Sequence, residues 1–496
     1  MRGLIVALLA ILLIGADSGR DTSQLLRNAE EAQVPAPLLW LAAKNGSTRA
    51  QSRLVAYASR VESVYWLNKL VTLDNAEAAW ALYHLIGDDS KSDRLMQLAA
   101  VGNVPEAQME YAFTTEDPEK RETWLQRAAN QGYLPGQAAL ADWYLLKGEP
   151  DKALPWFRVT ANDYPQSAFQ YGRMLWDRGK RDAAINWINK SASQGHVMAD
   201  KVKRVLAKYQ PTSPDRVSKM SLQSSRCLQR IGVFATSLST IVKADSLVQA
   251  YKNDRRLQSI PLCIDKPIWL KQNTLSCAPD WQGAERLGCD VRPLAKAVER
   301  RNYTHAVIVA EQGKANVNNG VMFLDLTDAY SVFVHELAHF AGFVDEYALG
   351  AQAAERNCKD TSVPNLIFDG KITYAPLSTY DNWQQLQPGV GIWPAQTCAR
   401  SDITAYKPSG RVTFLEHHDS GEIPPIYLAL WRQQLRRPEA QRPVYMNLFQ
   451  RFQKAGQTEQ AGKWLAKYET FLAPSGAVKR EEDISNSLPA NIKVAH

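Results

Sequence analysis

Cysteine is missing from the first 226 residues of this 496-residue chain, and all six cysteines lie between Cys227 and Cys398. No two of them have the Cys-x-x-Cys spacing, which argues against a zinc site built from cysteines. An even number of cysteines in one region predicts up to three disulfides, formed in an oxidising compartment. Closeness in sequence favours Cys277 with Cys289 and Cys358 with Cys398.

The sequence also lacks an apolar run of the roughly 20 residues that a membrane span needs. The apolar stretch near the N-terminus covers only Leu4 to Gly15, after the basic residue Arg2. Small residues follow it, so residues 1–18 have the pattern of a secretory signal peptide, with an uncleaved anchor as the alternative. We therefore expect an exported protein, periplasmic or secreted, whose mature form has no stable membrane span.

Long runs of basic residues are missing as well. Lys and Arg number 58 against 51 for Asp and Glu, a formal net charge of +7 spread over the whole chain. Such a mild, dispersed charge argues against a nucleic-acid partner. Hydrophobic residues make up 45% and charged residues 22%, which excludes disordered, collagen-like and low-complexity classes. At about 150 residues per domain, the length predicts three units.

The N-terminal part of the chain is repetitive. Six similar segments are separated by steps of 28, 29, 29, 32 and 31 residues; they begin at Leu38, Trp66, Leu95, Trp124, Trp156 and Trp187. A period near 30 with helical apolar spacing predicts stacked helical hairpins that share one core. The glycines expected where these helices end are Gly132, Gly148, Gly179 and Gly195.

Apolar-Ala-Ala-x-x-Gly turns, such as Ala128, Ala129 and Gly132, resemble those of the Sel-like branch of the tetratricopeptide repeat superfamily. The resemblance covers about 190 residues, assigned as 20–210, and implies a scaffold for protein contacts. Helical spacing favours a core role over a ligand groove for the tryptophans of this region. These are Trp124, Trp143, Trp156, Trp176 and Trp187.

The character of the chain changes after a Pro- and Ser-containing boundary at 209–220. Short apolar runs at 231–234, 306–310 and 320–326 are typical of strands and alternate with helical stretches and polar loops. We therefore expect an α+β protein, in which a helical repeat solenoid precedes a mixed α/β domain at 220–435. A helical hairpin is predicted at 440–473 and a flexible tail at 474–496.

One motif carries chemistry: His-Glu-x-x-His at His335, Glu336 and His339. Histidines at i and i+4 lie on one face of a helix, so both rings can bind one metal ion, with the glutamate beside them as general base. An apolar stripe on the opposite face would bury the helix; its members are Phe333, Leu337, Phe340 and Val344. The preceding strand would lead into an N-cap at Asp325 or Thr327.

A catalytic zinc ion needs a third protein ligand, for which Asp345 and Glu346 are the neighbouring candidates. A continuing helix would carry these acids about 10 Å beyond His339, too far to share the ion. The chain must therefore turn back, and Gly342 suits that turn. We favour Asp345 over Glu346, which gives Zn²⁺ bound by His335, His339 and Asp345 with Glu336 as catalytic base.

The motif resembles that of metzincin-type zinc metallopeptidases. Residue by residue it most resembles the motif of the bacterial IgA-peptidase family, through Ala341, Gly342 and the Asp345-Glu346-Tyr347 triplet. The resemblance spans about 230–430 and includes, more loosely, 389–410. The spacing from the second histidine to the aspartate is one residue shorter than in that family. It equals the spacing in metzincins and in small snapalysin-like proteases with an aspartate ligand. A metzincin methionine turn is not assigned, because Met446 alone follows the motif and falls in the predicted separate hairpin.

Other polar residues are weaker candidates. His417 and His418 could add a ligand or an oxyanion contact, although such a pair is more typical of a solvated loop. Tyr347 and Tyr406 could donate a hydrogen bond to a substrate carbonyl. His305 is interpreted as a structural residue.

The sequence thus predicts an exported zinc-dependent endopeptidase whose repeats recruit a protein substrate or partner. Two alternatives remain open. In the first, the chain is a non-catalytic repeat scaffold with a structural or degenerate metal site. In the second, the zinc hydrolase cleaves another amide, for example in a cell-wall peptide. The intact Glu336 between the two histidines favours an enzyme over a scaffold.

Overall fold

The computed structural model describes residues 21–87, 92–219, 227–283, 285–358, 363–369 and 375–473. The predicted signal peptide and C-terminal tail lie outside these residues. The chain divides into two compact units, Met1–Lys203 and Arg204–His496. Within the described part, no helix combines the length and the apolar character needed to cross a bilayer.

The first unit consists of helices joined by short turns, and from α1 to α11 each contacts its neighbour in sequence. This arrangement confirms the predicted solenoid of helical hairpins. After a helix at 21–31, its elements are α1 (Ala36–Lys44), α2 (Thr48–Arg60), α3 (Val64–Val71), α4 (Ala76–Ile86), α5 (Ser92–Val101), α6 (Pro105–Thr114), α7 (Pro118–Asn130), α8 (Leu134–Leu146), α9 (Pro150–Thr160), α10 (Pro165–Asp177), α11 (Arg181–Ser193) and α12 (Val197–Lys208), the last of which continues into the second unit.

Small side chains let these helices approach closely. A Cβ atom placed on Gly102 would lie 2.2 Å from the Cβ of Ala76, so alanine does not fit there without movement. The four glycines predicted at helix ends all have φ between +72° and +89°. At the Gly102 turn, the left-handed residue is Asn103 instead, with φ +75°. Trp176 is buried and the other four tryptophans named above are half-buried, which agrees with packing.

The second unit is built on a mainly parallel sheet of order β2-β1-β6-β8-β7, with β3 also pairing with β1. Only β7 runs antiparallel to its neighbour, and it forms one edge. The three strands predicted from apolar runs are present as β1, β6 and β8. The sheet consists of β1 (Gln229–Ala235), β2 (Leu262–Ile264), β3 (Ile268–Trp269), β6 (His305–Val309), β7 (Asn316–Asn318) and β8 (Val321–Leu324).

Helices cover both faces of this sheet. On one face lie α13 (Leu238–Asn253), which contacts β1 and β6, and α15 (Tyr330–His339), which contacts β7 and β8. The other face packs in one core with α14 (Ala295–Arg301) and the C-terminal hairpin of α19 (Val444–Lys454) and α20 (Thr458–Leu472). The hairpin predicted from sequence thus shares the hydrophobic core of the sheet.

Smaller elements and three disulfides complete the unit. The disulfides join Cys227 to Cys263, Cys277 to Cys289 and Cys358 to Cys398, which confirms both favoured pairings and adds a third. They are typical of a chain that folds in an oxidising compartment. The remaining elements are β4 (Cys277–Ala278), β5 (Gly288–Cys289), α16 (Ala351–Asn357), β9 (Ile367–Asp369), α17 (Ala375–Leu386), β10 (Trp393–Ala395), β11 (Thr404–Lys407) and α18 (Pro425–Leu435).

Candidate metal centre

The motif helix α15 is anchored by its apolar face. Phe333, Leu337 and Phe340 are at most 2% exposed, as the apolar stripe predicts. The helix ends at His339, and Gly342 follows with φ +80°, so the chain turns back at the predicted residue. Because the helix has already ended, Val344 lies beyond it and is only half-buried.

The N-cap prediction is wrong. The helix is capped by Ala329, which offers no side-chain hydrogen bond to the first turn. Asp325 instead closes the turn before the helix, since its carboxylate accepts hydrogen bonds from the backbone and hydroxyl of Thr327 and from the backbone of Asp328 and Gly313. The five-residue gap between strand and helix therefore forms a carboxylate-centred turn of its own.

The turn after Gly342 brings Asp345 back to the two histidines. The Oδ1 atom of Asp345 lies 2.9 Å from Nε2 of His335 and 3.2 Å from Nε2 of His339. The two Nε2 atoms are 3.2 Å apart. The structure thus assembles three of the predicted site residues into one nearly equilateral triangle of potential ligand atoms.

Backbone carbonyls fix the orientation of both rings. Nδ1 of His335 donates to the carbonyl of Phe414 and Nδ1 of His339 donates to the carbonyl of Phe343, each at 2.8 Å. A carbonyl oxygen can only accept, so each Nδ1 carries the hydrogen and the neutral ring turns the lone pair of Nε2 toward Asp345. Such partners behind the rings are typical of histidines that bind metals.

These residues fit a divalent metal ion such as zinc. Oδ1 of Asp345 is buried and faces two ring nitrogens that carry no hydrogen while the rings are neutral. Ligands placed 2.0–2.1 Å from a tetrahedral zinc ion lie about 3.3–3.4 Å from one another. The three observed separations are only a few tenths of an ångström shorter. Three electron-pair donors at such distances repel one another unless a cation or a proton lies between them.

Without a metal, a proton takes that place. Burial lowers the pKa of His339, but the charge and hydrogen bond of Asp345 outweigh it and raise this pKa to about 10. Burial likewise opposes ionisation of Asp345, yet the two rings hold the pKa of its carboxyl far below its ordinary value. The cluster therefore retains a proton between the rings and the carboxylate, and a metal ion would displace that proton.

Glu336 lies next to this cluster without being part of the triangle. One carboxylate oxygen of Glu336 and one ring nitrogen of each histidine lie within 4.8 Å of one another. The residue is 7% exposed, and burial raises the pKa of its carboxyl while the two histidines lower it. A buried carboxyl beside a cationic centre is suited to taking up and releasing a proton.

Glu346, the other candidate for third ligand, points into the protein core. It is fully buried, and Oε1 accepts hydrogen bonds from Tyr427 at 2.6 Å and Asn365 at 3.0 Å. Oε2 accepts one from Thr413 at 2.5 Å, and Lys407 lies 3.6 Å away. Its four polar neighbours lie outside the histidine–aspartate cluster, so we interpret its role as structural.

The weaker candidates separate in the same way. Tyr347 lies beside the cluster, its ring nearly parallel to that of His335, and burial and the charge of Asp345 raise the pKa of its hydroxyl. Tyr406 lies in β11 and is not among the residues that line the cleft. The His418 ring forms hydrogen bonds with Asp419 and Ser331 at the surface. His305 is buried against Phe340, which agrees with a structural role.

A cleft of about 430 Å³ opens onto the cluster. Glu336 and the three triangle residues line it, and the edge strand β7 forms part of its wall through Asn316 and Val317.

Sequence reasoning did not find the residues that support the site from behind. They are Phe343, Asn365, Thr413, Phe414 and Tyr427. Only Phe343 is close to the motif in sequence, so no local pattern could have indicated the others.

No family model and no curated protein matches the chain. Among solved structures, it is similar to a protective antigen of uropathogenic Escherichia coli strains that displays an SLR fold, with 20% identity and a TM-score of 0.32. That match covers 38% of this chain and 49%, about half, of the other. A Sel1 repeat protein from Oxalobacter formigenes is 19% identical with a TM-score of 0.27, over 33% of this chain and 78% of that one. TM-scores this low do not establish a shared fold. The solenoid is established instead by the contacts between neighbouring helices of the first unit.

Proposed function

We propose that the chain is a zinc-dependent endopeptidase, with His335, His339 and Asp345 as metal ligands and Glu336 as general base. One observation carries the proposal: three lone-pair atoms converge within 3.2 Å of one another on a cleft. The backbone carbonyls behind both rings support it, because they present each Nε2 atom in the form that binds a metal. Three protein ligands leave a fourth position open, as in catalytic zinc sites.

Bound zinc would lower the pKa of a water and polarise the carbonyl of the scissile bond. Glu336 accepts the proton of that attacking water and later delivers it to the leaving amine. Burial raises the pKa of its carboxyl toward neutral pH, which favours both proton transfers. Tyr347 borders the same cleft with its hydroxyl protonated, and that hydroxyl can donate a hydrogen bond to the developing oxyanion.

The edge strand supports a peptide as the substrate. β7 pairs with β8 on one side, and Asn316 and Val317 line the cleft. An edge strand offers unpaired backbone groups to which an extended peptide can add as a further strand. A peptide bound in this way would pass directly along the metal cluster.

The test is proteome-derived peptide cleavage by the purified chain, with and without a chelator, beside Glu336→Gln. We expect chelator-sensitive cleavage, and a Glu336→Gln variant that retains zinc but has a turnover about 10²–10⁴-fold lower. Glu459→Gln is the matched control, since Glu459 is exposed on α20 and makes no contact with the cleft. Cleavage that survives both zinc removal and Glu336→Gln would refute the proposal.

The alternative function is a repeat scaffold without catalysis, and the surface of the first unit favours a binding role for that unit. Of the sixteen large apolar side chains that the described residues leave exposed, eleven lie there, among them Tyr65, Phe113 and Leu146. Where such side chains adjoin one another, they provide the apolar surface of a protein contact. A chain that binds zinc but cleaves no peptide or protein in the profiling experiment would support the scaffold instead.

A further inference from the structure

Three cations line the cleft without an acidic partner. Arg286, Lys314 and Arg442 border the same cavity as the histidine–aspartate cluster, and all three are exposed. Among the described residues, none of their side chains forms an ion pair or a hydrogen bond with another group. Among the described residues that border the cavity, the one acid besides Glu336 and Asp345 is Glu439, which pairs with Arg437 at 2.9 Å. Outside the metal cluster, the described lining of the cleft therefore carries uncompensated positive charge.

The three cations stand at the two ends of the edge strand. Lys314 precedes β7 by two residues, and its carbonyl accepts from the backbone of Leu287, which places Arg286 beside it. Arg442 lies at the opposite end, because a Cβ atom on Gly320 would be 2.5 Å from the Arg442 carbonyl. Strand β7 between them has three residues, about 10 Å at about 3.3 Å per residue, before the chain turns at Asn319 and Gly320 with φ +43° and +75°.

We propose that the cleft selects peptides with acidic side chains on both sides of the cleaved bond, bound by Arg286 and Lys314 at one end and by Arg442 at the other. The inference rests on the proposed function and names its substrate class. A peptide added to β7 would pair with about three residues between the two groups of cations, so the acidic positions would lie within about two residues of the cleaved bond. This arrangement holds for either direction of the bound peptide.

These exposed cations mainly increase the capture of acidic peptides by the cleft. Each contact in solvent contributes modestly, and salt screens it over a length of about 8 Å at physiological ionic strength. Like-charged substrates are repelled at the same place, so discrimination is greater than attraction alone would give. The expected preference is therefore salt-sensitive and is expressed in kcat/KM more than in kcat.

Three peptides of one sequence test the proposal, with Asp and Glu, with Asn and Gln, or with Lys at the flanking positions. The first measurement is binding to zinc-loaded Glu336→Gln by fluorescence anisotropy, which needs no turnover. The second is kcat/KM of the active chain at low and high salt. We expect about a tenfold preference for the acidic over the amide peptide at low salt, most of it lost in high salt.

The variant Arg286→Gln/Lys314→Gln/Arg442→Gln should lose this preference. Its matched control removes three exposed cations that do not border the cleft: Lys252, Arg255 and Lys271, each replaced by Gln. Both variants lower the net charge equally, so only a local effect distinguishes them. Equal binding of the acidic and amide peptides, or loss of the preference in the control as well, would overturn the inference. Chelator-sensitive cleavage of all three peptides alike would overturn it while leaving the peptidase proposal intact.

Discussion

Replacing Asp345 by Asn tests the metal site most directly, because it removes one charge from the ligand triangle while keeping the size of the side chain. Zinc contributes about 10–16 kcal/mol in four-ligand structural sites, or roughly 2.5–4 kcal/mol per ligand. At about 1.4 kcal/mol per factor of ten, loss of this ligand weakens zinc binding by about 10²–10³-fold. His339→Ala should weaken it similarly.

Chemical denaturation with and without zinc measures this loss. At a free zinc concentration about 1,000 times the Kd of the wild type, the free energy of unfolding should rise by about 4.1 kcal/mol. The same concentration is only about 1–10 times the expected Kd of Asp345→Asn. That variant should therefore gain about 0.4–1.4 kcal/mol. A zinc-induced gain equal to that of the wild type would exclude Asp345 as a ligand.

The matched comparison is Glu346→Gln at the adjacent acid. Its carboxylate accepts from Tyr427, Asn365 and Thr413, and a Gln side chain would turn an NH₂ group toward one of these donors. We expect a loss of about 1–3 kcal/mol of stability in the metal-free protein. The zinc-induced gain should stay near that of the wild type. A stable Glu346→Gln variant that no longer responds to zinc would reverse the ligand assignment.

Three further predictions follow from the second unit. His305 is buried, and burial lowers its pKa from the ordinary 6.5 to about 3. Between these two pH values the unfolded chain binds one proton more than the folded chain, so the free energy of unfolding falls as the pH falls. From pH 7 to pH 5, the wild type should lose about 2 kcal/mol more than His305→Leu in urea unfolding. Removing the Cys358–Cys398 disulfide, whose cysteines are 40 positions apart, should cost about 2–4 kcal/mol in the same assay. A fragment beginning at Arg204 should fold and bind zinc better than one beginning at Asp215, because Tyr209 hydrogen-bonds Asp245 and Thr212 pairs with Leu270. Equal zinc binding and melting temperatures of the two fragments would refute that reasoning.

The same fragment separates the roles of the two units. If the repeats recruit a protein substrate, the fragment beginning at Arg204 should cleave a short peptide as well as the full chain does, and lose activity only on a folded protein target. If it is soluble and zinc-bound but inactive on the short peptide, the repeats contribute to catalysis itself.

Local sequence patterns predicted the parts of this fold that depend on local physics. The spacing of His335 and His339 follows from the helical repeat, and the turn at Gly342 follows from the need for a left-handed residue. The repeat period likewise predicted the hairpins, although at one turn Asn103 rather than the neighbouring glycine has the left-handed conformation. The N-cap failed because Asp325 found backbone partners in a tighter turn than the helix start would offer.

The rest of the site depends on contacts between distant parts of the chain. The carbonyl of Phe414 orients His335 from 79 residues away, and Thr413 bonds Glu346 across 67 residues. No spacing rule connects such positions, because they meet only when the 413–415 segment folds over the motif helix. Sequence reasoning could name the two acids after the motif, whereas their different surroundings became visible only in the folded chain.

Those surroundings show why two adjacent acids are needed. The backbone N–H of Glu346 donates to the carbonyl of Leu415 at 2.9 Å, next to the Phe414 carbonyl that receives Nδ1 of His335. The Glu346 side chain bonds Thr413 in the same segment. One buried carboxylate thus fixes both the loop that presents Asp345 and the segment that orients His335. Preorganisation of this kind keeps three electron-pair donor atoms close together before a cation arrives, and Glu346 provides it without belonging to the ligand triangle.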